Sequence, residues 1–229
     1  MSVNEASFKA IAAELAGKAT LVAVSKTKPA ADIQELYNLG QRDFGENYVQ
    51  ELVDKQAELP ADIRWHFIGH LQSNKVKYIA PFVHLIHGID SARLLQEVNK
   101  QAVRNNRIIN VLLQVHIARE ETKFGMDEQE LETLLTQLTT NASEWANVRV
   151  SGLMGMASFT EDKEVVRSEF HYLQLLAHKY SKQTVPNCSF NILSMGMSSD
   201  YAVALEEGST MVRIGSLLFG AREKKEKSQ

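Results

Sequence analysis

A chain of 229 residues with 25 Lys+Arg against 28 Asp+Glu carries a formal charge of −3, which excludes nucleic-acid binding by bulk positive charge. Apolar residues at 44% and charged residues at 23% suit one large globular domain, 1–229, with a charged tail at 222–229. The single cysteine, Cys188, excludes a disulfide framework and a thiolate metal site and points to a reducing, cytoplasmic setting; no apolar run reaches the roughly 18 residues of a membrane span, and the N-terminus lacks the basic start of a secretion signal.

In chain order the pattern predicts a helix over 4–15 and then a β-branched strand at 20–25. A helix at 31–39 stops at Gly40, and a short strand follows at 43–45, the weakest of the set. A helix at 48–59 ends before Pro60, a strand occupies 65–69, and a helix at 73–79 ends before Pro81. After a strand at 83–88, the helix 91–105 opens on the N-cap Ser91 and buries Leu94, Leu95, Val98 and Ala102. A strand at 108–117 precedes a helix at 127–139 with leucines at 131, 134, 135 and 138, a stripe of helical period. The rest reads strand 148–154, helix 162–180, strand 189–195, short helix 199–206 and strand 210–215.

Several of these strands are near-continuous apolar runs, as in a parallel sheet covered on both faces. Eight strand–helix units predict a (β/α)₈ TIM barrel with an extra N-terminal helix. The alternative, an open doubly wound sheet, would leave two edges to protect.

A barrel carries its site at the C-terminal ends of its strands. That rule selects Lys26, Glu46, Asn47, His70, Gln72, His87, Asp90, His116, Met154, Met156, the segment 194–200, Gly215 and Ser216. Lys26 ends the run Leu-Val-Ala-Val-Ser, where partial burial would make its amine a nucleophile for a carbonyl group; Lys28 reads as solvent-facing. Ser198 and Ser199 precede a short helix, and Gly215 and Ser216 follow the last strand; together they can form an anion cradle of hydroxyls and backbone N–H groups. Arg213, inside the last strand, needs a carboxylate or ligand acceptor to offset its burial. His66 and His70 share a strand face, and His84 and His87 lie on opposite faces, but no acidic residue flanks either pair in a ligand pattern, so no metal is expected. The methionines at 154, 156, 195 and 197 read chiefly as core, and Cys188 as a buried, inert thiol.

Seven sequence islands in order carry a family resemblance: Val-Ala-Val-Ser-Lys-Thr-Lys-Pro (22–29), Phe-Gly-Glu-Asn-Tyr-Val-Gln-Glu (44–51), Trp-His-Phe-Ile-Gly-His-Leu-Gln-Ser-Asn-Lys (65–75), Lys-Phe-Gly (123–125), Ser-Gly-Leu-Met (151–154), Leu-Ser-Met-Gly-Met-Ser-Ser-Asp (193–200) and Gly-Ser-Thr-Met-Val-Arg-Ile-Gly (208–215). In these the chain closely resembles the pyridoxal phosphate homeostasis proteins, single-domain relatives of the alanine racemase N-terminal barrel, over almost all of 20–221. The resemblance implies that Lys26 holds pyridoxal 5'-phosphate (PLP) as an internal aldimine. It implies a phosphate seat on Ser198, Ser199, Gly215 and Ser216, with Arg213 at the pyridine nitrogen, Asn47 near the ring and Met154 against its face.

The resemblance further implies a monomer that buffers and delivers PLP in vitamin B6 homeostasis, without established turnover. PLP-dependent apo-enzymes would be its clients, and neither nucleic acid nor membrane its partner. A guanidinium keeps its protons, so it would leave the ring nitrogen unprotonated and the cofactor a weak electron sink. The chain also has no length left after the eighth strand for a second domain. The alternative is a weak PLP-dependent amino-acid racemase, with Tyr48, His70 or His87 as its second base.

Overall fold

The computed structural model of the protein describes residues 3–120 and 124–220. Lys123 of the 123–125 island and the tail 222–229 lie outside the described residues.

Eight parallel strands close into a barrel in chain order. They are β1 (Thr20–Val24), β2 (Asp43–Glu46), β3 (Arg64–Phe67), β4 (Leu85–Ile89), β5 (Ile109–Gln114), β6 (Val148–Met154), β7 (Cys188–Met197) and β8 (Met211–Ile214). The closing seam pairs β1 with β8 from Thr20↔Met211 to Ala23↔Ile214. Each predicted strand is present. Even the weakest, β2, is buried along its whole length, because Gly45 lets Val22 and Ile68 close over it; a Cβ there would sit 2.9 Å from Val22 Cγ1.

The helices are α1 (Glu5–Leu15), α2 (Ala30–Asn38), α3 (Val49–Glu58), α4 (Val76–Ile79), α5 (Ala92–Arg104), α6 (Glu128–Thr140), α7 (Lys163–Ser181), α8 (Tyr201–Glu206) and α9 (Ser216–Phe219). Asn4 caps α1 by accepting from Ser7 N at 3.0 Å, and its own N–H donates to Leu218 O, tying the extra helix to α9. Ser91 caps α5, and Asp127 with Glu130 forms a capping box on α6. α9 and a one-turn 3₁₀ helix, Ala142–Trp145, were not predicted; both are too short to show a period.

Alternation along the strands separates two cores. Outward residues such as Leu21 and Ala23 on β1, Trp65 and Phe67 on β3, and Val212 and Ile214 on β8 pack beneath the helices. Inward residues Val22, Leu85, Leu112, Met154 and Met211 fill a smaller layer inside the barrel. The other inward positions are polar, and they organise the site.

Candidate functional site

Strand register assembles the C-terminal mouth. Val24 pairs with Gly45, so Lys26 and Asn47 emerge level from neighbouring strands. Ala23 pairs with Ile214, which puts Gly215 and Ser216 on the other side of Lys26. Met197 pairs with Arg213 after a register shift, which brings Ser198 and Ser199 beside Gly215. Gly215 N–H donates to Ser198 Oγ at 3.2 Å, so the two halves of the expected cradle touch. Ser199 and Ser216 are exposed, and the first N–H groups of α9 have no acceptor within their helix. Met154, buried, pairs with Ser194 and lies deeper in the barrel.

Lys26 is partly buried, and a buried network braces both sides of it. Before it, Ser25 Oγ donates to Glu46 Oε1 at 2.6 Å. After it, Thr27 sits at φ +65°, a left-handed conformation costly for a β-branched residue, and its N–H is held by Glu51 Oε1 at 2.6 Å. Lys55 Nζ joins the two flanks, donating to Ser25 O, Glu46 Oε1 and Glu51 Oε1. Burial pushes the Glu46 carboxyl up, against the opposing pull of Lys55. Glu46, one of the residues expected at the mouth, is thus a brace beneath it. Asn47 differs: its Oδ1 is buried and has no hydrogen-bond partner among the described residues. Lys28 is not solvent-facing as expected; its Nζ donates to Phe219 O at 2.7 Å and ties the β1 turn to α9.

Below the mouth, Arg213 is almost fully buried. Its Nη1 donates to Ser194 O at 2.8 Å and Ser194 Oγ at 2.6 Å, and its Nη2 to Gly155 O at 3.1 Å. Three of its five N–H groups are thereby committed, and two remain for a ligand. Burial lowers its pKa to about 10, with the Asp200 charge opposing, so it stays a cation at neutral pH.

His87 corrects the expectation that it faces the mouth. It lies inside the barrel, 0% exposed, beneath Arg213. His87 Nδ1 lies 3.0 Å from Ser194 Oγ, its Nε2 lies 2.9 Å from His66 Nδ1, and His66 Nε2 lies 3.0 Å from Asp43 Oδ1. With both rings neutral, the chain runs head to tail: Arg213 donates to Ser194, Ser194 to His87, His87 to His66 and His66 to Asp43. A buried cation near the mouth is thus joined to a carboxylate at the far end of the barrel. Burial holds the His87 imidazole well below its ordinary pKa, with the His66 and Arg213 charges adding to the effect.

The remaining mouth residues do not converge. His70 lies beyond the end of β3, so it does not share a strand face with His66; it meets Asp90 at 3.4 Å and stacks on Phe124. His116 Nε2 contacts Glu120 O, and Tyr48 is exposed at the start of α3. Cys188 starts β7, partly buried, with burial pushing its thiol up to about 12. The acidic partner that the histidine spacing did not reveal is Asp43. It comes from the short strand β2 and meets His66 only through barrel closure.

Comparison with known proteins places this geometry. The family described as alanine racemase, N-terminal domain, matches residues 5–223. The chain is 43% identical to a pyridoxal phosphate homeostasis protein of Aquifex aeolicus, over 93% of this chain and 92% of that one. It is 40% identical to the protein of the same name from Escherichia coli, over 89% and 86%. Among solved structures, PipY of Synechococcus elongatus with PLP bound matches at a TM-score of 0.85 and 36% identity, covering 94% of this chain and 99% of that one. An alanine racemase from Streptomyces coelicolor shares the fold, with a TM-score of 0.73 at 17% identity, covering 95% of this chain and 57% of that one.

Proposed function

The chain belongs to the alanine racemase N-terminal-domain family, and from that premise we propose that it binds PLP on Lys26 and serves intracellular PLP homeostasis as a reversible carrier. The observation that carries this reading is the register that sets Lys26, Asn47, Ser198, Ser199, Gly215 and Ser216 on the ends of four adjoining strands, with Arg213 beneath. Homologues named for this role at about 40% identity, and a PLP-bound neighbour, support it.

The residues fit the group. Bound PLP supplies an aldehyde that condenses with a primary amine and a pyridine ring whose protonation sets its electron-withdrawing power. Lys26 offers the amine from a braced turn. Ser198, Ser199, Ser216 and the Gly215 backbone offer a dianion hydroxyls and N–H groups at a helix start. Arg213 has two N–H groups left among the described residues and keeps its protons, so it would offer the ring nitrogen a hydrogen bond without protonating it. Asn47 brings a buried Oδ1 that lacks a partner. Met154, buried in the inner layer beneath the mouth, would pack against the ring's face.

We assign the chain no turnover. His87 is locked between Ser194 and His66 inside the barrel, and His70 is engaged with Asp90 and Phe124, so neither stands as a ready second base. The role is that of a single-domain cytoplasmic monomer, with apo-enzymes that use PLP as recipients. Among the described residues no helix is long and apolar enough to cross a membrane. The test is reconstitution with PLP, borohydride reduction and peptide mapping. PLP trapped on Lys26, with the visible band lost in Lys26→Ala, is the expected result; an unlabelled Lys26 overturns the assignment. Carrier and racemase are separated by α-proton exchange of amino acids in deuterated water, expected to run no faster than with PLP alone.

A further inference from the structure

At the opposite end of the barrel from Lys26, three side chains from separate parts of the chain converge. Asp43 opens β2, His66 is the inward residue of β3, and His84 directly precedes β4. One carboxylate oxygen and one nitrogen from each imidazole all lie within 4.8 Å of one another. They border a cavity of about 420 Å³ that Thr20, Asn110 and Arg149 also line. We propose that Asp43, His66 and His84 bind a divalent transition-metal ion, of the zinc, cobalt or nickel class, at the N-terminal mouth of the barrel.

Two imidazoles and one carboxylate with open positions are a donor set such ions take. The distances suit it: with metal–ligand bonds of ~2.0–2.1 Å, ligand atoms of a tetrahedral site stand about 3.3 Å apart. His66 Nε2 and Asp43 Oδ1 are already 3.0 Å apart, so His84 is the ligand that must rotate inward. His84 is exposed and has no side-chain hydrogen bond to hold it back among the described residues; its ring meets only that of His66, at 5.4 Å. The cavity leaves room for water in the remaining positions.

The support behind the ligands is also in place. A ligating histidine needs its second nitrogen held by a partner, and His66 Nδ1 already meets His87 Nε2 at 2.9 Å. Coordination at His66 Nε2 needs the other tautomer of the neutral ring: the Nε2 proton shared with Asp43 leaves to solvent, one proton is taken up in exchange at Nδ1, and Nδ1 becomes the donor toward His87. The ion would therefore reverse the His66–His87 bond and, through His87 Nδ1, the bond to Ser194 beneath Arg213.

Arg64 is the competitor. Its guanidinium grips both oxygens of Asp43. Its side chain is 46% exposed, however, and can swing to solvent as the ion arrives. Because residues at this face of a barrel serve stability more than chemistry, the ion acts here as a clasp between β2, β3 and the start of β4. None of the three ligands belongs to the residues assigned to PLP, so the proposal does not rest on that assignment.

The test is titration of the full chain, stripped with a chelator, with Co²⁺ alone, followed by ligand-field absorbance and calorimetry. One ion per chain is expected. His84→Ala should weaken binding at least 10-fold, Arg64→Gln should tighten it, and His178→Ala should leave it unchanged. His84 has no side-chain hydrogen bond to lose among the described residues, so its variant should keep the fold, which circular dichroism checks. No binding by the wild type, or binding that His84→Ala does not weaken, overturns the proposal.

Discussion

Lys55 Nζ lies 2.7 Å from Glu46 Oε1, with both side chains almost entirely removed from solvent. The pair sits under the turn that presents Lys26 and joins its two flanks. Removing one partner of a buried ion pair strands the other charge, at a cost of ~3–5 kcal/mol. Lys55→Ala is expected to lose stability of that order in urea unfolding, and to loosen PLP binding as Ser25 and Thr27 lose their common anchor. The double variant Lys55→Met with Glu46→Gln removes both charges and should recover part of the lost stability. If the single and double variants melt together, the pair does not brace the turn.

Asp43 gives stability a pH dependence of definite sign. Burial alone would raise its pKa, but hydrogen bonds from His66 and Arg64 outweigh it and hold the carboxyl well below the usual carboxylate range. A folded pKa below the unfolded one contributes stability above the unfolded value, near 3.9, that is lost as pH falls toward the folded value. The urea midpoint of the wild type should drop as pH is lowered below about 5, and Asp43→Asn should show a shallower drop. Parallel curves for the two proteins would remove Asp43 from that role.

How much of this was legible follows from which face of the barrel a residue occupies. The outward positions, such as Trp65, Phe67, Val212 and Ile214, are apolar and sit on strands bounded by Gly and Pro, so all eight strands and the main helices show in the pattern. Lys26, Asn47, Ser198, Ser199, Arg213, Gly215 and Ser216 are legible as strand-end residues within distinctive islands. The inward polar chain is not. His66, His87, Ser194 and Asp43 each look incidental, and they meet only because register brings β2, β3, β4 and β7 around one axis. The brace of Lys55 and the strain at Thr27 are equally silent, since an exposed-looking lysine on α3 and a threonine in a turn carry no local signal.

Ser194 is the hinge of that inward chain. It accepts from Arg213 and lies within hydrogen-bond distance of His87, both buried. Ser194→Ala leaves His87 Nδ1 without its donor and Arg213 with one acceptor fewer, a cost of ~1–3 kcal/mol for groups away from water. The expected outcome is a fold of reduced stability whose bound PLP shows a shifted absorbance, because the Arg213 guanidinium is less firmly aimed. Ser194→Thr, which keeps the hydroxyl, should restore the absorbance if the chain orients Arg213, even where its extra methyl costs stability. A variant pair with identical spectra to the wild type would make the contact structural only.

Gly215 separates binding from folding. Its φ of −123° is open to any residue, so a side chain there brings no backbone strain. An added Cβ would lie 3.2 Å from Val24 O and 3.3 Å from Val24 Cβ, a tight fit that a few tenths of an ångström relieve. Gly215→Ala should therefore change stability by no more than about 1 kcal/mol, within the range of a modest overpacking. The same methyl is carried by the residue whose N–H meets the hydroxyl of Ser198, at the seat assigned to the phosphate. PLP affinity should fall about 10-fold or more, equivalent to roughly 1.4 kcal/mol, with Lys26 still able to react with pyridoxal, which has no phosphate. Equilibrium titration with PLP and with pyridoxal reads the difference. An equal loss for both ligands, or none for PLP, would move the phosphate seat away from the end of β8.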